Sequence, residues 1–591
     1  MEAQSSLWLQ DVQVSALLSV KKIGWEGGGR ATLVANSSWA RLAIASNLTT
    51  SAHLCRIRKV KCDEEKPHCK RCTSTGRTCD GYDPTFRPPP PSTPSPPAAR
   101  RDSHHSGASW TIARSQSPVY LAPALRLNTR EERESFDFFT SHAVGHLRGY
   151  LDSPFWQREV LQAAHRDPAI QHCIIALGAM YRRFFQGRDS HLTEHAMSDK
   201  YLQFALRQSN RAIQDLLKKQ IAGDYVKDRT SKVTLMTCSI LFSSMCCLQG
   251  YQKQAIEHLR SGIRMLNEMD EEERKETHPI DLESLRTIFV GLDMQVRAIM
   301  PSRESGSWVS RPKTKPLSTS PNGALNMTIL ITMLQHMESL MNTTHAFNQS
   351  SFMRDPEEAE QVYAEHRDLL KRYQRGVIVM QHLWSKAPDY GDEFTQPLTA
   401  LELMQVQIEY LLRYPRPDMT ARYPHLGTFK EAKPPFKQPF DVTAQFFRVF
   451  ELATKLLPTS NTPAPVFTTT MGPTAALWLV AIRAPGPCQA LRKRAMKLML
   501  DHPRREGFWD GMIAGRIAQE ALRLEQERTR ARLGLKEDDE PLGDLEVPDD
   551  IRIVAFFISH PDDDDRMAKV ELSNAKELEA RTPGAVRWLS W

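Results

Sequence analysis

Long apolar runs, signal-peptide features and a disulfide framework are all missing from this sequence. The most apolar stretch in mid-chain, Thr234 to Leu248, has about fifteen residues, whereas a helix needs roughly 18 to span a bilayer. Glu2 and Asp11 stand where a signal peptide carries basic residues. Half of the ten cysteines are scattered through apolar or loop sequence, which is typical of reducing compartments. We therefore expect a soluble, intracellular protein with no membrane partner.

Catalytic signatures are also missing. No Walker A loop, G-x-S-x-G elbow, H-E-x-x-H motif or dinucleotide-binding glycine fingerprint occurs. His165-Arg166-Asp167 has the order of a kinase catalytic triplet, but Pro168 follows it and position 172 is not Asn. Asp before Pro is better explained as the start of a helix. The sequence thus predicts that the chain is not an enzyme, and an enzyme of unknown type is only a third hypothesis.

Positive charge is concentrated in one short region. The whole chain carries a net charge of only +7 over 591 residues, and its length is enough for about three or four domains. Residues 55–82, however, hold eight Lys or Arg against four Asp or Glu. A local excess of this kind indicates an acidic partner, and nucleic acid is the obvious one.

Five cysteines share that region in the array C-x6-C-x6-C-x2-C-x6-C. They are Cys55, Cys62, Cys69, Cys72 and Cys79, and four of the six residues between the first two are Arg or Lys. Thiolates at short spacing favour a closed, tetrahedral zinc site. A basic segment held by such a site is suited to contact phosphates and base edges.

This array resembles the fungal Zn2Cys6 binuclear zinc cluster, a family of transcription regulators that place a helix in the DNA major groove. The family has six cysteines, and Ala52 stands here where the first is expected. Six thiolates hold two zinc ions because the first and fourth bridge both metals. With Ala52, Cys69 is the remaining bridge and only six of eight coordination positions come from protein. The resemblance therefore implies Zn²⁺ as cofactor, two ions per cluster if intact, and a weakened site in this sequence.

The resemblance also implies roles for the basic residues. Arg58 and Lys59 match the family's base-reading positions, and CGG-type triplets fit cationic donors to guanine O6 and N7. The expected phosphate contacts, which fix register without reading sequence, come from Arg56, Lys61, Lys70 and Arg71.

The zinc-binding region, residues 55–82, lies between two segments without a recognisable fold. Residues 1–54 form an irregular leader, and we hypothesise that part of it is a gene-model error. The alternative is a genuine disordered leader before a degenerate site. Residues 83–130 form a Pro/Ser-rich linker, with eight prolines in the fourteen residues from Pro84 to Pro97. No heptad pattern persists for three repeats, so sequence does not support dimeric binding, although a homodimer stays open. Arg100-Arg101 weakly indicates nuclear import.

Residues 131–591 have helical periodicity and predict a large all-helical regulatory domain, which makes the fold class mainly α. The clearest predicted helices begin at Pro168, span Ser231 to Leu248, and span Lys253 to Leu266, while Ile551 to Ile558 is the main strand-like exception. The stretch from Phe155-Trp156 to Tyr181, and Leu248-Gln249-Gly250 with Ala255, His258-Leu259-Arg260 and Gly262, resemble the helical region downstream of many fungal zinc clusters.

Together these features predict a nuclear regulator of RNA polymerase II transcription that binds double-stranded DNA and contacts the transcription machinery or co-regulators. The alternative is a helical adaptor or scaffold whose degenerate cluster no longer binds DNA specifically. Two acidic segments, Glu537 to Glu540 and Asp562 to Asp565, are either solvated loops or activation segments.

Overall fold

The computed structural model describes residues 127–187, 199–221, 229–269, 278–300, 326–351, 354–390, 392–414, 423–426, 439–458, 464–535, 546–559, 567–580 and 582–590, with the single positions Lys70, Ser74, Trp308 and Leu317. The chain divides into two compact units. The described residues from 127 onward belong to one unit, and Lys70 and Ser74 belong to the other.

The larger unit is built mainly of α-helices, which confirms the predicted fold class. Its helices are α1 (Arg130–Phe138), α2 (Val144–Leu147), α3 (Val160–Ala164), α4 (Pro168–Phe185), α5 (Lys200–Ile221), α6 (Arg229–Gln249), α7 (Gln252–Glu268), α8 (Leu282–Ile299), α9 (Met327–Ser351), α10 (Ala359–Lys386), α11 (Thr395–Arg413), α12 (Val442–Lys455), α13 (Pro473–Arg483), α14 (Gln489–Asp501), α15 (Gly511–Leu533) and α16 (Ala575–Glu579). Five-residue π-helical turns precede α2 and α3.

The start of α4 confirms that Asp167 is a helix cap. One carboxylate oxygen of Asp167 accepts a hydrogen bond from the Ala169 amide at 2.9 Å, and Pro168 is the first helical residue. The other oxygen accepts from the Thr234 hydroxyl, also at 2.9 Å. One oxygen therefore caps the N-terminus of α4 and the other connects this terminus to α6, so both have a structural role.

Helix α6 is longer than the apolar run suggested. The 20 residues Thr230–Gln249 are long and apolar enough to cross a membrane, which corrects the expectation that this stretch is too short. However, 89% of its most apolar window is buried inside the protein. The helix packs against α4, α7 and α8. Its composition is therefore that of a helix enclosed by other helices, with small polar residues where neighbours come close.

Two glycines allow neighbouring helices to approach closely. A Cβ atom added at Gly262 on α7 would lie 2.5 Å from the ring of Phe289 on α8. At Gly178 on α4 it would lie 2.1 Å from the carbonyl oxygen of Ser135 on α1. No side chain fits at either distance, so both contacts require glycine.

Helix α11 lies between two hydrophobic cores. One face packs against α9 and α10, and the opposite face packs against α12 and belongs to the core that α13 and α15 also line. The first face consists of Leu398, Leu401, Met404, Ile408 and Leu412. The second consists of Ala400, Leu403, Val406 and Tyr410. Because apolar residues recur on both sides, the helix joins the two cores, and Glu402, Gln405 and Glu409 form a half-buried polar stripe along it.

Two small sheets interrupt the helices, and they are the main departure from an all-helical domain. In the first, β1 (Val466–Thr468) pairs parallel with β2 (Arg504–Glu506), which pairs antiparallel with β3 (Trp509–Asp510). In the second, β5 (Met567–Asn574) lies between β4 (Ile553–Ser559) and β6 (Ala585–Ser590), and all pairs are antiparallel. The strand-like signal at Ile551 to Ile558 corresponds to β4. The other strands were not predicted. Strands β1 to β3 are too short to show a period of two, and the longer β5 and β6 were missed.

Candidate zinc and DNA site

The predicted zinc ligands lie outside the described residues, and so do most of the predicted DNA contacts. This applies to Cys55, Cys62, Cys69, Cys72 and Cys79 and to Arg56, Arg58, Lys59, Lys61 and Arg71. Only Lys70 of the predicted site residues is described. These assignments therefore stay predictions.

Lys70 lies on a helical turn and is exposed. The amide of Ser74 donates a hydrogen bond to the Lys70 carbonyl at 2.8 Å, which is the i to i+4 bond of a helix. Lys70 comes directly before Arg71 and Cys72 in the array. An exposed position of this kind is what a phosphate contact requires.

The donor set of the array suits zinc but is one ligand short. The five thiol sulfurs lie within 25 residues of sequence and are soft donors, which zinc prefers over oxygen. The side chain of Ala52 has no donor atom. Shared between two metals through one bridge, five thiolates supply three positions per ion. Zinc sites with three protein ligands exist, and their fourth position is open to water.

The cysteines of the helical unit are buried thiols, as their scattered positions suggested. Cys173, Cys238, Cys246, Cys247 and Cys488 are all free and buried. Burial raises the pKa of Cys246 to about 12 and that of Cys247 well above its ordinary value. A zinc ligand must be a thiolate, so these thiols are poorly suited to bind metal. Within the described residues, no group of three or more His, Cys, Asp or Glu could hold a metal ion.

The first small sheet holds the N-terminal helices of this unit together. The hydroxyl of Tyr181 accepts from the Phe467 amide at 3.2 Å and donates to the Phe467 carbonyl at 3.3 Å. The Trp156 indole donates to the Thr469 hydroxyl at 3.0 Å. Gln295 on α8 donates to the Thr469 carbonyl at 2.8 Å. Helices α4 and α8 thus depend for polar contacts in their buried faces on a segment that lies 286 residues downstream of Tyr181 and 174 residues downstream of Gln295.

Arg505 on β2 forms a second link to the same helices. Its guanidinium pairs with Asp510 at 2.6 Å and donates to the carbonyl of Leu248 at the end of α6. It also lies over the ring of Phe184, 5.1 Å from the ring centre. Because Arg505 is only 6% exposed, removing any of these partners would leave a buried charge less well compensated. The Leu248-Gln249-Gly250 turn is therefore anchored from outside its own hairpin.

Sequence reasoning missed several buried charged residues, among them Arg492, Glu525 and Glu338. Arg492 and Glu525 are fully buried and paired, and Glu338 is buried with one carboxylate oxygen, Oε2, that has no hydrogen-bond partner. The available signal was a charge inside an apolar stripe. Arg492 shares a helix face with Ala495 and Met499, and Glu338 lies in the same way between Leu334 and Met341.

Comparison with known families agrees with both regions identified from the residues. Residues 53–89 match the fungal Zn(2)-Cys(6) binuclear cluster domain, and residues 136–305 match the fungal specific transcription factor domain. The first match begins directly after Ala52, the position of the missing cysteine. The chain therefore combines the two domains of fungal zinc-cluster transcription regulators, and the resemblance to that class is confirmed.

Individual relatives carry corresponding names. The chain is 32% identical to the aspercryptin biosynthesis cluster-specific transcription regulator atnN of Emericella nidulans over 256 residues, which is 42% of this chain and 39% of the relative. It is 27% identical to the transcription regulator lscL of Purpureocillium lilacinum over 217 residues, 36% of this chain and 48% of the relative. A 33-residue segment, 6% of each chain, is 54% identical to the transcriptional regulatory protein moc3 of Schizosaccharomyces pombe.

The chain thus spans less than half the length of each of these relatives in the aligned regions. No solved structure matches the chain significantly. The family domains and relatives are those of transcription regulators rather than enzymes, in agreement with the missing catalytic motifs. The zinc cluster domain implies zinc binding, and the class implies DNA as a partner and action in the nucleus.

Proposed function

We propose that this chain is a nuclear, sequence-specific DNA-binding regulator of RNA polymerase II transcription that reads CGG-like triplets. The observation that carries the proposal is the five-cysteine array with its basic segment, inside residues matched by the zinc cluster domain. The helical unit downstream supplies the surface for co-regulators or transcription machinery. If two copies associate, two clusters would meet two half-sites.

The proposed DNA contacts divide into readers and anchors. Arg58 and Lys59 carry donors to guanine edges, while Arg56, Lys61, Lys70 and Arg71 neutralise phosphates. The exposed helical position of Lys70 supports its role as an anchor. The two groups differ in what their loss should change, because only base contacts carry sequence information.

Lys59→Ala should lower affinity for a CGG-containing duplex by about 1–3 kcal/mol and leave affinity for a mutated triplet nearly unchanged. Lys70→Ala, the matched control, should weaken binding to both duplexes equally and reduce the salt slope by about one. Fluorescence anisotropy of the full chain over a salt series measures both effects. If Lys59→Ala discriminates between the CGG and mutated duplexes as well as the parent does, Lys59 does not read the base sequence.

The proposed cluster holds two zinc ions with three cysteines each, through Cys69 as the shared ligand. Ala52→Cys restores the second bridge, so this variant should retain its two zinc ions at a higher chelator concentration than the parent does. Ala52→Ser is the control, because its hydroxyl is of similar size but is not a thiolate. Elemental analysis during chelator titration gives the result. If the parent already equals Ala52→Cys, the sixth ligand comes from elsewhere.

Zinc uptake also separates this proposal from the alternative of a helical adaptor. A parent chain that takes up no zinc and binds CGG and mutated duplexes equally would favour the adaptor. In that case Ala52→Cys shows whether the missing thiolate is the cause, because it should then recover both zinc and discrimination.

A further inference from the structure

The outer face of the second sheet exposes large apolar side chains. Phe557 on β4 is 40% exposed, and Val586 and Trp588 on β6 are 39% and 57% exposed. Directly paired residues project to the same face of a sheet. Phe557 pairs with Glu571 on β5, Glu571 pairs with Val586, and Lys569 pairs with Trp588, so all five lie on one face.

The opposite face of the sheet is covered by the helical unit. Ala568, Val570 and Leu572 of β5 are fully buried in the core formed with α13 and α15. Phe556 of β4 contacts Trp478 of α13 edge-on, with ring centres 5.1 Å apart. The apolar residues of the outer face are therefore additional to those that the fold itself needs. A tryptophan exposed to this extent, beside Val586 on its own strand and across β5 from Phe557, is typical of an interaction surface.

The edge of β6 is less suited to adding a strand. The carbonyl of Ser590 accepts from the Arg516 side chain at 2.7 Å, and the carbonyl of Val586 accepts from the Arg587 side chain at 3.1 Å. Two of the acceptors that another strand would use are thus already occupied. A partner is expected to pack on the face rather than to extend the sheet.

The charges on this face favour a second copy of the chain as its occupant. Lys569 and Glu571 are two residues apart on β5, on the same face, and have opposite sign. A strongly basic or acidic partner would be attracted by one of them and repelled by the other. A second copy related by a two-fold axis would place Lys569 against Glu571 of its partner twice, because such an interface pairs residue i with j and j with i.

We propose that two copies of this chain associate through the outer face of β4, β5 and β6. Lys569 and Glu571 on the middle strand form two reciprocal ion pairs that set the register, and Phe557 on one side and Val586 and Trp588 on the other form the apolar contacts that flank them. This dimer does not depend on zinc or DNA, so its test is independent of the proposed function.

Sedimentation of the full chain over a wide concentration range tests the proposal. We expect a monomer–dimer equilibrium that Trp588→Glu weakens roughly thirtyfold or more, as for a tryptophan buried in an interface. Leu533→Glu is the matched control, because Leu533 is 55% exposed at the end of α15 and should not change association. A parent that is monomeric throughout, or a Trp588→Glu variant that associates like the parent, would overturn the proposal.

A charge exchange tests the two-fold arrangement itself. Lys569→Glu gives a face with two anions, and Glu571→Lys gives a face with two cations, so each variant should associate more weakly than the parent. An equimolar mixture of the two should associate again, because each anion then meets a cation. Thermal unfolding of each variant checks that both remain folded. A mixture that associates no better than its components contradicts this interface.

Discussion

Replacing Glu525 with Gln is expected to lower the free energy of unfolding of the helical unit by about 3–5 kcal/mol. Glu525 on α15 and Arg492 on α14 form a bidentate pair, with oxygen–nitrogen distances of 2.7 and 3.0 Å. Both side chains are fully buried. Gln keeps the size of Glu but not its charge, so the variant leaves a guanidinium in the core without a counter-ion.

Two further hydrogen bonds connect the Arg492–Glu525 pair to neighbouring helices and strands. Arg492 also donates to the carbonyl of Ala481 on α13 at 2.8 Å, and Glu525 accepts from the amide of Ile553 on β4 at 2.9 Å. The pair therefore connects three helices and the second sheet. Each of its hydrogen-bonding groups has a partner, which is the condition for a buried ion pair to be tolerated.

A second arginine increases the expected effect. Burial and the charge of Arg492 lower the pKa of Arg552, while Glu525 acts in the opposite direction. The other carboxylate near Arg552, that of Asp549, is 3.5 Å away and 91% exposed, so solvent screens it. Glu525 is thus the main buried anion for two arginines, and its loss leaves both poorly compensated.

Denaturant midpoints of the parent and variants measure the effect. Glu527→Gln on the same helix is the control, since Glu527 is 45% exposed in its pair with Arg523 and should change stability by about 0–1 kcal/mol. Adding Arg492→Met to Glu525→Gln removes both charges and keeps an acceptor for the Ile553 amide. This double variant should recover most of the loss. Equal stability of Glu525→Gln and Glu527→Gln would show that the pair does not hold the core.

The predictable part of the fold was the part whose residues interact with near neighbours in sequence. Asp167 before Pro168 predicts a helix start because a cap acts on the next turn, and the structure has this cap. The apolar stripe of α12 was also predicted, because apolar residues recur every three to four positions, and its Phe446, Val449 and Phe450 are buried. Local rules are sufficient for such elements.

The contacts that join distant segments could not be predicted. Arg505 lies in a strand of three residues, and Thr469 directly follows another. Strands of this length are too short to show a periodic pattern, yet the two residues contact helical segments some two hundred to three hundred residues earlier in the chain. Trp588 shows a different limit. The strand β6 was not predicted, and only its register with β5 shows that Val586 and Trp588 lie on the exposed face. For the zinc site, the array and the basic segment carried the prediction, and the family match at residues 53–89 agrees with it.

Replacing Glu338 with Gln is expected to remove a pH dependence of stability. Glu338 on α9 is 2% exposed, its Oε1 lies against Gly291 of α8, and its Oε2 has no hydrogen-bond partner. Burial raises its pKa from 4.5 to about 8. The carboxyl group is therefore protonated in the folded chain at neutral pH, when the same group in the unfolded chain is ionised.

The sign of the effect follows from this difference. Below pH 4.5 Glu338 is protonated in both states and does not oppose folding. Between pH 4.5 and about 8 only the unfolded state loses its proton, so the free energy of unfolding falls by about 1.4 kcal/mol per pH unit, on the order of several kcal/mol in all. Above about pH 8 both states are ionised and the decrease stops.

Glu338→Gln cannot ionise, so the variant should be close to the parent near pH 4.5 and more stable by several kcal/mol at pH 8. The buried amide reduces this gain by about 1–3 kcal/mol if its N–H groups find no acceptor. Denaturant midpoints at each pH unit from 5 to 8 give the comparison, with the exposed Glu360→Gln on α10 as control. Parallel pH curves for Glu338→Gln and the parent would mean that Glu338 reaches solvent or a cation. A gap that widens with pH means that α8 and α9 enclose a carboxyl group that must stay neutral, because ionising it opposes the packing of the two helices.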